Sequence, residues 1–209
     1  PTKEIPVPYN MKIVIDGLIG AGKSTQVDIL SKITGKSVIK EPIGDWPLDL
    51  FYKDPSRWGF MMQCAVLVSF HNNADQSGIF ERCPPSSKAI FWENLYQTGT
   101  VTEEENTIFH RMYDALTWHP DIMIFIDKTP EKCLEHIQIR GQPGDGSITL
   151  DYMQKLGKLY DHWFHNERQP VFIVDGNGTV EETSKQIIKI LDNYFKKTAA
   201  EQCLTNVYM

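Results

Sequence analysis

Five short apolar runs, at 12–15, 37–40, 78–80, 122–126 and 171–174, recur along the chain without the alternation of a half-exposed strand. Continuous runs of this length read as strands covered on both faces, as in a parallel sheet. Between them lie stretches with helical periodicity and identifiable starts. Thr102 with Glu105, and Thr179 with Glu182, have the spacing of a capping box, in which hydroxyl and carboxylate each satisfy an orphaned amide. Thr129 followed by Pro130 places a cap before a proline at the first helical position. Pro55 is expected to divide 48–74 into a short leading piece and a long buried helix. Strands alternating with helices predict an α/β fold, a five-stranded parallel sheet with helices on both faces. No internal repeat, low-complexity tract or linker divides the sequence, so residues 1–209 are expected to form one domain. The glycine-rich stretch 141–148 is the most loop-like interior segment, and 196–209 is expected to be a weakly ordered tail.

Composition narrows the classes of function. The 209 residues are 41% hydrophobic and 23% charged, a globular balance with no sign of disorder. A net charge of −6 argues against broad nucleic-acid binding, which needs a basic face. No apolar run approaches the roughly 20 residues of a membrane span. The first ten residues carry no apolar core, so neither a membrane anchor nor a secretory signal is expected. Cys64, Cys83, Cys133 and Cys203 show no C-x-x-C spacing, which fits free thiols in a reducing cytoplasm better than disulfides or zinc.

One loop supplies the positive potential that the net charge lacks. Gly17-Leu-Ile-Gly-Ala-Gly-Lys-Ser24 matches G-x-x-x-x-G-K-[ST] in full, between an expected strand and an expected helix. Gly17, Gly20, Ala21 and Gly22 let backbone N–H groups converge on phosphate oxygens, and the helix N-terminus through Thr25 adds partial positive charge. Lys23 is placed to reach the β and γ phosphates, and Ser24 to bind Mg²⁺. A GTPase would need an N-K-x-D motif, which is missing. The run 122–127 superficially resembles the hydrophobic stretch ending in Asp of motor ATPases, but no glutamate follows Asp127 to activate water.

Charged pairs at two further strand ends bear on the acceptor. Ligands of parallel sheets sit at the carboxyl ends of strands. Glu41, in Glu41-Pro42-Ile43-Gly44-Asp45-Trp46, is expected beside the γ-phosphate, where a carboxylate can take the proton of an attacking hydroxyl. Glu81 could bind Mg²⁺ or its water, and Arg82 could stabilise the transferred phosphoryl group or hold Glu41. Gln63 sits among Met61, Met62, Ala65, Val66 and Leu67, so its amide is expected to be buried and to need partners.

These segments resemble the deoxyribonucleoside kinases over about 12–195. GLIGAGKST is similar to the family's P-loop, EPIGDW to its E-P-x-x-x-W segment, and FYKDPSRWGFMMQ to its Y-x-x-P-x-x-W-x-x-x-x-Q stretch. FERCPPSSKAIFWENLYQTG is similar to its E-R-S helix entry, and IRGQPGDGSITLDYMQKL to its lid, about 140–149, and following helix. The resemblance implies a P-loop kinase fold with a short lid. It also implies ATP-dependent transfer of the γ-phosphoryl group to a 5′-hydroxyl, Mg²⁺ as cofactor, and a homodimer. Glu41 would be the general base and Arg82 would contact the 5′-hydroxyl and the phosphoryl group. Glu81 and Ser24 would serve Mg²⁺, and Arg140 would close over the phosphates. Tyr52 and Asp145 would hold the 3′-hydroxyl. Gln63 would contact the base edge, beside Met62, and Phe91 would stack on the base with Trp46 nearby. Gly178, Thr179 and Val180 would flank adenine.

The departures from the family pattern concern rate and base choice. Cys83 replaces the serine of E-R-S and Pro84-Pro85 stiffen the next helix entry. Gln142 and His136 stand where further lid arginines are common, which predicts slower or more Mg²⁺-dependent transfer. Deoxycytidine kinase has an arginine seven residues past the glutamine and an aspartate six past the E-R glutamate; here those base-site positions are Phe70 and Ser87. Without that charged pair the expected substrate is a pyrimidine deoxynucleoside, thymidine first and deoxycytidine also accepted. Two rival functions share the fold class and the phosphate loop. A nucleoside monophosphate kinase of the thymidylate kinase type needs a cationic acceptor site, where Glu41 would repel the phosphate. A non-catalytic nucleotide-binding subunit has no reason to keep Lys23, Ser24, Glu41, Glu81 and Arg82 together.

Overall fold

The computed structural model of the protein describes residues 7–8, 10–142, 144–166 and 171–205. Its chain order is β1 (Lys12–Gly17), α1 (Lys23–Thr34), β2 (Val38–Ile39), α2 (Leu48–Lys53), α3 (Pro55–His71) and β3 (Gly78–Glu81). A broken helical run follows: α4 (Pro84–Ser87), a π turn (Lys88–Trp92) and α5 (Glu93–Gln97). The remainder is α6 (Glu103–Leu116), β4 (Ile122–Asp127), α7 (Pro130–Arg140), α8 (Leu150–Asn166), β5 (Val171–Asp175) and α9 (Val180–Thr205). Five parallel strands lie in the order β2-β3-β1-β4-β5. This is the fold class expected from the apolar runs.

Alternate residues of β1 enter different cores, which is why its sequence is apolar throughout. Ile13 and Ile15 pack with Val27 and Leu30 of α1 and Ile187 and Leu191 of α9. Val14 turns the other way, to Phe80, Met123 and the α3 residues Met62, Val66 and Phe70. With β1 paired to β3 on one side and β4 on the other, Gly17 and Glu81 finish at the same end of the sheet. A third cluster joins α3, the π turn and α6, where Trp92 stacks on Phe109 with centroids 3.8 Å apart.

The expected helix starts form as read. Glu105 N–H donates to Thr102 Oγ1 (3.2 Å) and Thr102 N–H donates to Glu105 Oε2 (2.8 Å). The same reciprocal pair joins Thr179 and Glu182 at α9, and Thr129 caps α7 ahead of Pro130. Pro55 opens α3 behind an Asp54 cap, separating it from α2. Two expectations are corrected. β2 pairs with β3 only through Val38 and Ile39, because Lys40 and Glu41 leave the ladder ahead of Pro42, which has no N–H to give. The tail expected from 196 is helical as far as Thr205, because α9 carries on past Phe195; residues 206–209 of it, like Pro143 of the lid segment, lie outside the described residues.

Candidate active site

The phosphate loop connects β1 to α1. Gly20 and Gly22 both have positive φ, 79° and 99°. A Cβ on Gly20 would lie 2.4 Å from the Cys133 carbonyl oxygen, so only glycine fits against α7 there. Ala21 is buried beneath the loop, while Ser24 and Thr25 are exposed on the first turn of α1. Lys23 is 5% exposed and its Nζ donates to Leu18 O (2.9 Å). Burial, and then Arg82, lower its pKa against the opposing pull of Glu81, Glu41 and Asp16. Ser24 Oγ lies 2.9 and 3.0 Å from the two Glu81 carboxylate oxygens.

β3 delivers Glu81 and Arg82 to the same end. Arg82 has φ 65°, a left-handed value that no other non-glycine among the described residues adopts. Such a conformation costs on the order of 1 kcal/mol and persists where surrounding contacts over-determine it. Arg82 Nε donates to Glu41 Oε1 (2.9 Å), and Nη1 donates to Tyr160 Oη (2.7 Å) and Asp16 Oδ1 (3.2 Å). Its guanidinium lies over the Phe91 ring, 4.6 Å from the centroid. Burial pushes the Glu41 pKa up; Arg82 pulls it down, Glu81 adds to the rise, and the result is a raised value.

Beside these groups opens a cavity of about 300 Å³. Gly20, Lys23, Ser24, Glu41, Trp46, Tyr52, Met62, Gln63, Glu81, Arg82, Ser87, Phe91, Arg140 and Asp145 all line it. Most of the expected site residues, spread over α1, α2, α3, β3, α4, the π turn, α7 and the loops between them, therefore meet in one place. Gln63 is 5% exposed and its buried Oε1 has no partner among the described residues. Trp46 is fixed by an indole N–H donated to Ser69 Oγ (3.3 Å). Burial raises the Tyr52 phenol pKa, with a smaller contribution from Asp145.

Three expectations fare differently. Phe70 does not reach the cavity; it packs edge-on against Trp118 in the core shared by β1, β3 and α3, because its helical position faces the sheet. Gly178, Thr179 and Val180 are also outside it, at the start of α9, where the Val180 carbonyl accepts from Gln26 Nε2 of α1 (3.1 Å). Arg140 lines the cavity, but its guanidinium is engaged by Asp145, with Nε–Oδ2 at 3.1 Å and Nη2–Oδ1 at 2.7 Å. Gly144, at φ 88°, brings the lid backbone against Tyr52, where a Cβ would meet the ring at 2.7 Å.

Sequence reasoning missed Asp16, Tyr152 and Tyr160. Tyr152 lines the cavity, its hydroxyl pKa raised by burial. Asp16 and Tyr160 are 0% and 1% exposed and lie behind Arg82. The signal for Asp16 was an acidic residue inside an apolar strand, directly ahead of the phosphate loop. Tyr160 gave no such signal, since it looks like one more core aromatic of α8. Cys83 is buried among apolar residues and caps α4, its N–H meeting Ser86 Oγ at 3.4 Å, and Pro84 and Pro85 occupy the first helical positions.

Comparison with known proteins gives a consistent picture. The family model described as deoxynucleoside kinase matches residues 13–198. Mitochondrial thymidine kinase 2 of Homo sapiens is 28% identical over 179 residues, 78% of this chain and 68% of that protein. Deoxycytidine kinase of Homo sapiens is 30% identical over 193 residues, 73% of this chain and 74% of that protein. Among solved structures, deoxyadenosine kinase from M. mycoides with bound dCTP has a TM-score of 0.81 and 27% identity, covering 88% of this chain and 100% of that one.

Proposed function

This chain belongs to the deoxynucleoside kinase family, and on that premise we propose that it transfers the γ-phosphoryl group of ATP to the 5′-hydroxyl of a pyrimidine deoxynucleoside, thymidine first and deoxycytidine second. It is a kinase, a transferase acting on nucleosides. The base preference is carried by one observation: Gln63 faces the cavity with a buried carbonyl oxygen that has no partner. An amide offers one donor and one acceptor side by side, which complements the N3–H/O4 edge of thymine and, after a flip, the N3/N4–H₂ edge of cytosine. Ser87 is uncharged and Phe70 is turned into the core, so the arginine–aspartate pair of deoxycytidine kinase does not stand at these two positions to favour the cytosine amino group.

The residues divide the chemistry as follows. Gly17, Gly20, Ala21, Gly22 and Thr25 shape the phosphate loop, Lys23 meets the β and γ phosphates, and Gly178–Val180 border the adenine. Ser24 and Glu81 form a pair of hard oxygens that suits Mg²⁺, which when bound neutralises phosphate charge. Phe91 stacks on the base with Trp46 nearby, and Tyr52 and Asp145 hold the 3′-hydroxyl. Glu41 spends Oε1 on Arg82, and Oε2 has no hydrogen bond among the described residues. That oxygen accepts the 5′-hydroxyl proton as the hydroxyl oxygen bonds to the γ-phosphorus and the bond to ADP breaks. Arg82 and Lys23 face the charge that develops on the transferred group.

Assembly and location belong to the same reading. Met61 and Val68 on α3 and Ile108 on α6 are exposed apolar residues on two packed helices, which supports a homodimer through that face. No helix among the described residues is long and apolar enough to cross a membrane. Cys64, Cys83 and Cys133 are free, in keeping with one domain working in the cytoplasm. Incubation with γ-labelled ATP, Mg²⁺ and either thymidine or thymidine monophosphate tests the acceptor. Label is expected on thymidine; faster labelling of the monophosphate would mean that Glu41 does not face a nucleoside hydroxyl.

A further inference from the structure

Arg82 is held from behind by two buried side chains, Asp16 of β1 and Tyr160 of α8, neither of which lines the cavity. The Tyr160 hydroxyl donates to Asp16 Oδ1 (2.7 Å) and accepts from Arg82 Nη1 (2.7 Å). Asp16 Oδ1 also accepts from the Gly17 N–H (2.7 Å). The Gly17 carbonyl in turn accepts from both Arg82 Nη1 and Nη2, each at 3.3 Å. The closed loop of bonds therefore links the last residues of β1, the Arg82 guanidinium and α8. Asp16 Oδ2 is buried without a partner, so Oδ1 carries all of that carboxylate's hydrogen bonds.

A guanidinium has five N–H groups in a fixed plane. Nε–H is directed to Glu41, both Nη1 hydrogens face Asp16, Gly17 O and Tyr160, and one Nη2 hydrogen faces Gly17 O. One Nη2 N–H is left for a ligand. Phe91 lies against the guanidinium and limits its tilt. The direction of that last N–H, and of Glu41, is then set by what grips Nη1.

We propose that Asp16 and Tyr160 are positioning residues for phosphoryl transfer: they lock the Arg82 guanidinium between Glu41 and the first residue of the phosphate loop, so that the acceptor and donor halves of the site form one rigid unit. Neither residue lines the cavity, so neither meets substrate directly. The inference rests on the roles proposed above for Arg82 and Glu41. The hydroxyl is separable from the fold, because the Tyr160 ring packs on Phe125 and Phe164 with centroids 4.8 and 5.8 Å away, contacts that phenylalanine retains.

A double-mutant cycle on the full chain tests this, using Tyr160→Phe, Arg82→Lys and the combined variant, with kcat and KM measured for ATP and thymidine. Tyr160→Phe is expected to lower kcat about 10-fold or more, since small misplacements of a reacting group are costly, while both KM values stay within about two-fold. The combined variant is expected to be no slower than Arg82→Lys alone, because the hydroxyl acts only through the guanidinium. Effects that multiply in the combined variant overturn the inference and leave the role of Arg82 standing. So does a Tyr160→Phe chain that keeps its full kcat or fails to fold, since the hydroxyl is then either idle or structural. Wild-type kcat in Arg82→Lys overturns the reading of Arg82 itself, and the positioning role with it.

Discussion

Gln63 carries an energetic penalty that a base bound as proposed would remove. Its Oε1 is buried and unpartnered, and an unpaired buried acceptor costs about 1–3 kcal/mol. Gln63→Met keeps the volume and discards that penalty. Thermal melting of the ligand-free variant is expected to match or exceed wild type, while kcat/KM for thymidine falls at least about 10-fold. Glu41 offers a second test through pH. Burial raises its pKa, with Arg82 opposing and Glu81 adding. The base acts only when ionised, so turnover is complete above the raised pKa and lost as pH falls through it. The acid limb of log kcat against pH should lie above the ordinary glutamate value of about 4.3. Glu41→Gln should abolish that limb and lower kcat by about 10²- to 10⁴-fold. A limb at the ordinary value would remove Glu41 from the base role. Lys23, Glu41, Gln63 and Arg82 were legible because motifs with a physical basis mark them. Tyr160 was not, because its partner Asp16 lies 144 residues away and no spacing rule spans that gap.

Local chemistry made most of the elements legible. The α6 cap was readable from Thr102 and Glu105, and its two reciprocal bonds are present. Thr102→Ala is expected to lower stability by about 1 kcal/mol in denaturant unfolding and to leave turnover unchanged, because α6 does not border the cavity. The lid behaves differently. Gly144 has φ 88° and stands against the Tyr52 ring, so Gly144→Ala must displace Tyr52 or the Asp145 turn. A several-fold rise in KM for the deoxynucleoside is expected, with KM for ATP little changed; steady-state kinetics against each substrate separates the two. The π turn at Lys88–Trp92 carries no signal in the spacing of its residues; within it Trp92 stacks on Phe109 and donates to Asn106 Oδ1. β2 was overextended for the same reason: whether an edge residue pairs depends on the neighbouring strand.

For the whole molecule, a net charge of −6 is compatible with handling a polyanion because the relevant cations are few and local. Lys23 and Arg82 are 5% and 2% exposed, so they contribute little to the outer surface and much to the cavity. The sheet order brings Gly17, Glu41 and Glu81 to one end, which the apolar runs predicted in kind; the pairing of Arg140 with Asp145 they could not predict. That ion pair engages the Arg140 guanidinium within the cavity lining. The proposed base selection draws on Gln63, Phe91, Trp46 and the uncharged Ser87, which line one cavity. The most direct test is kcat/KM for the four natural deoxynucleosides with saturating ATP and Mg²⁺. Thymidine should give the highest value and deoxycytidine the next; a purine deoxynucleoside giving the highest value would contradict the assignment.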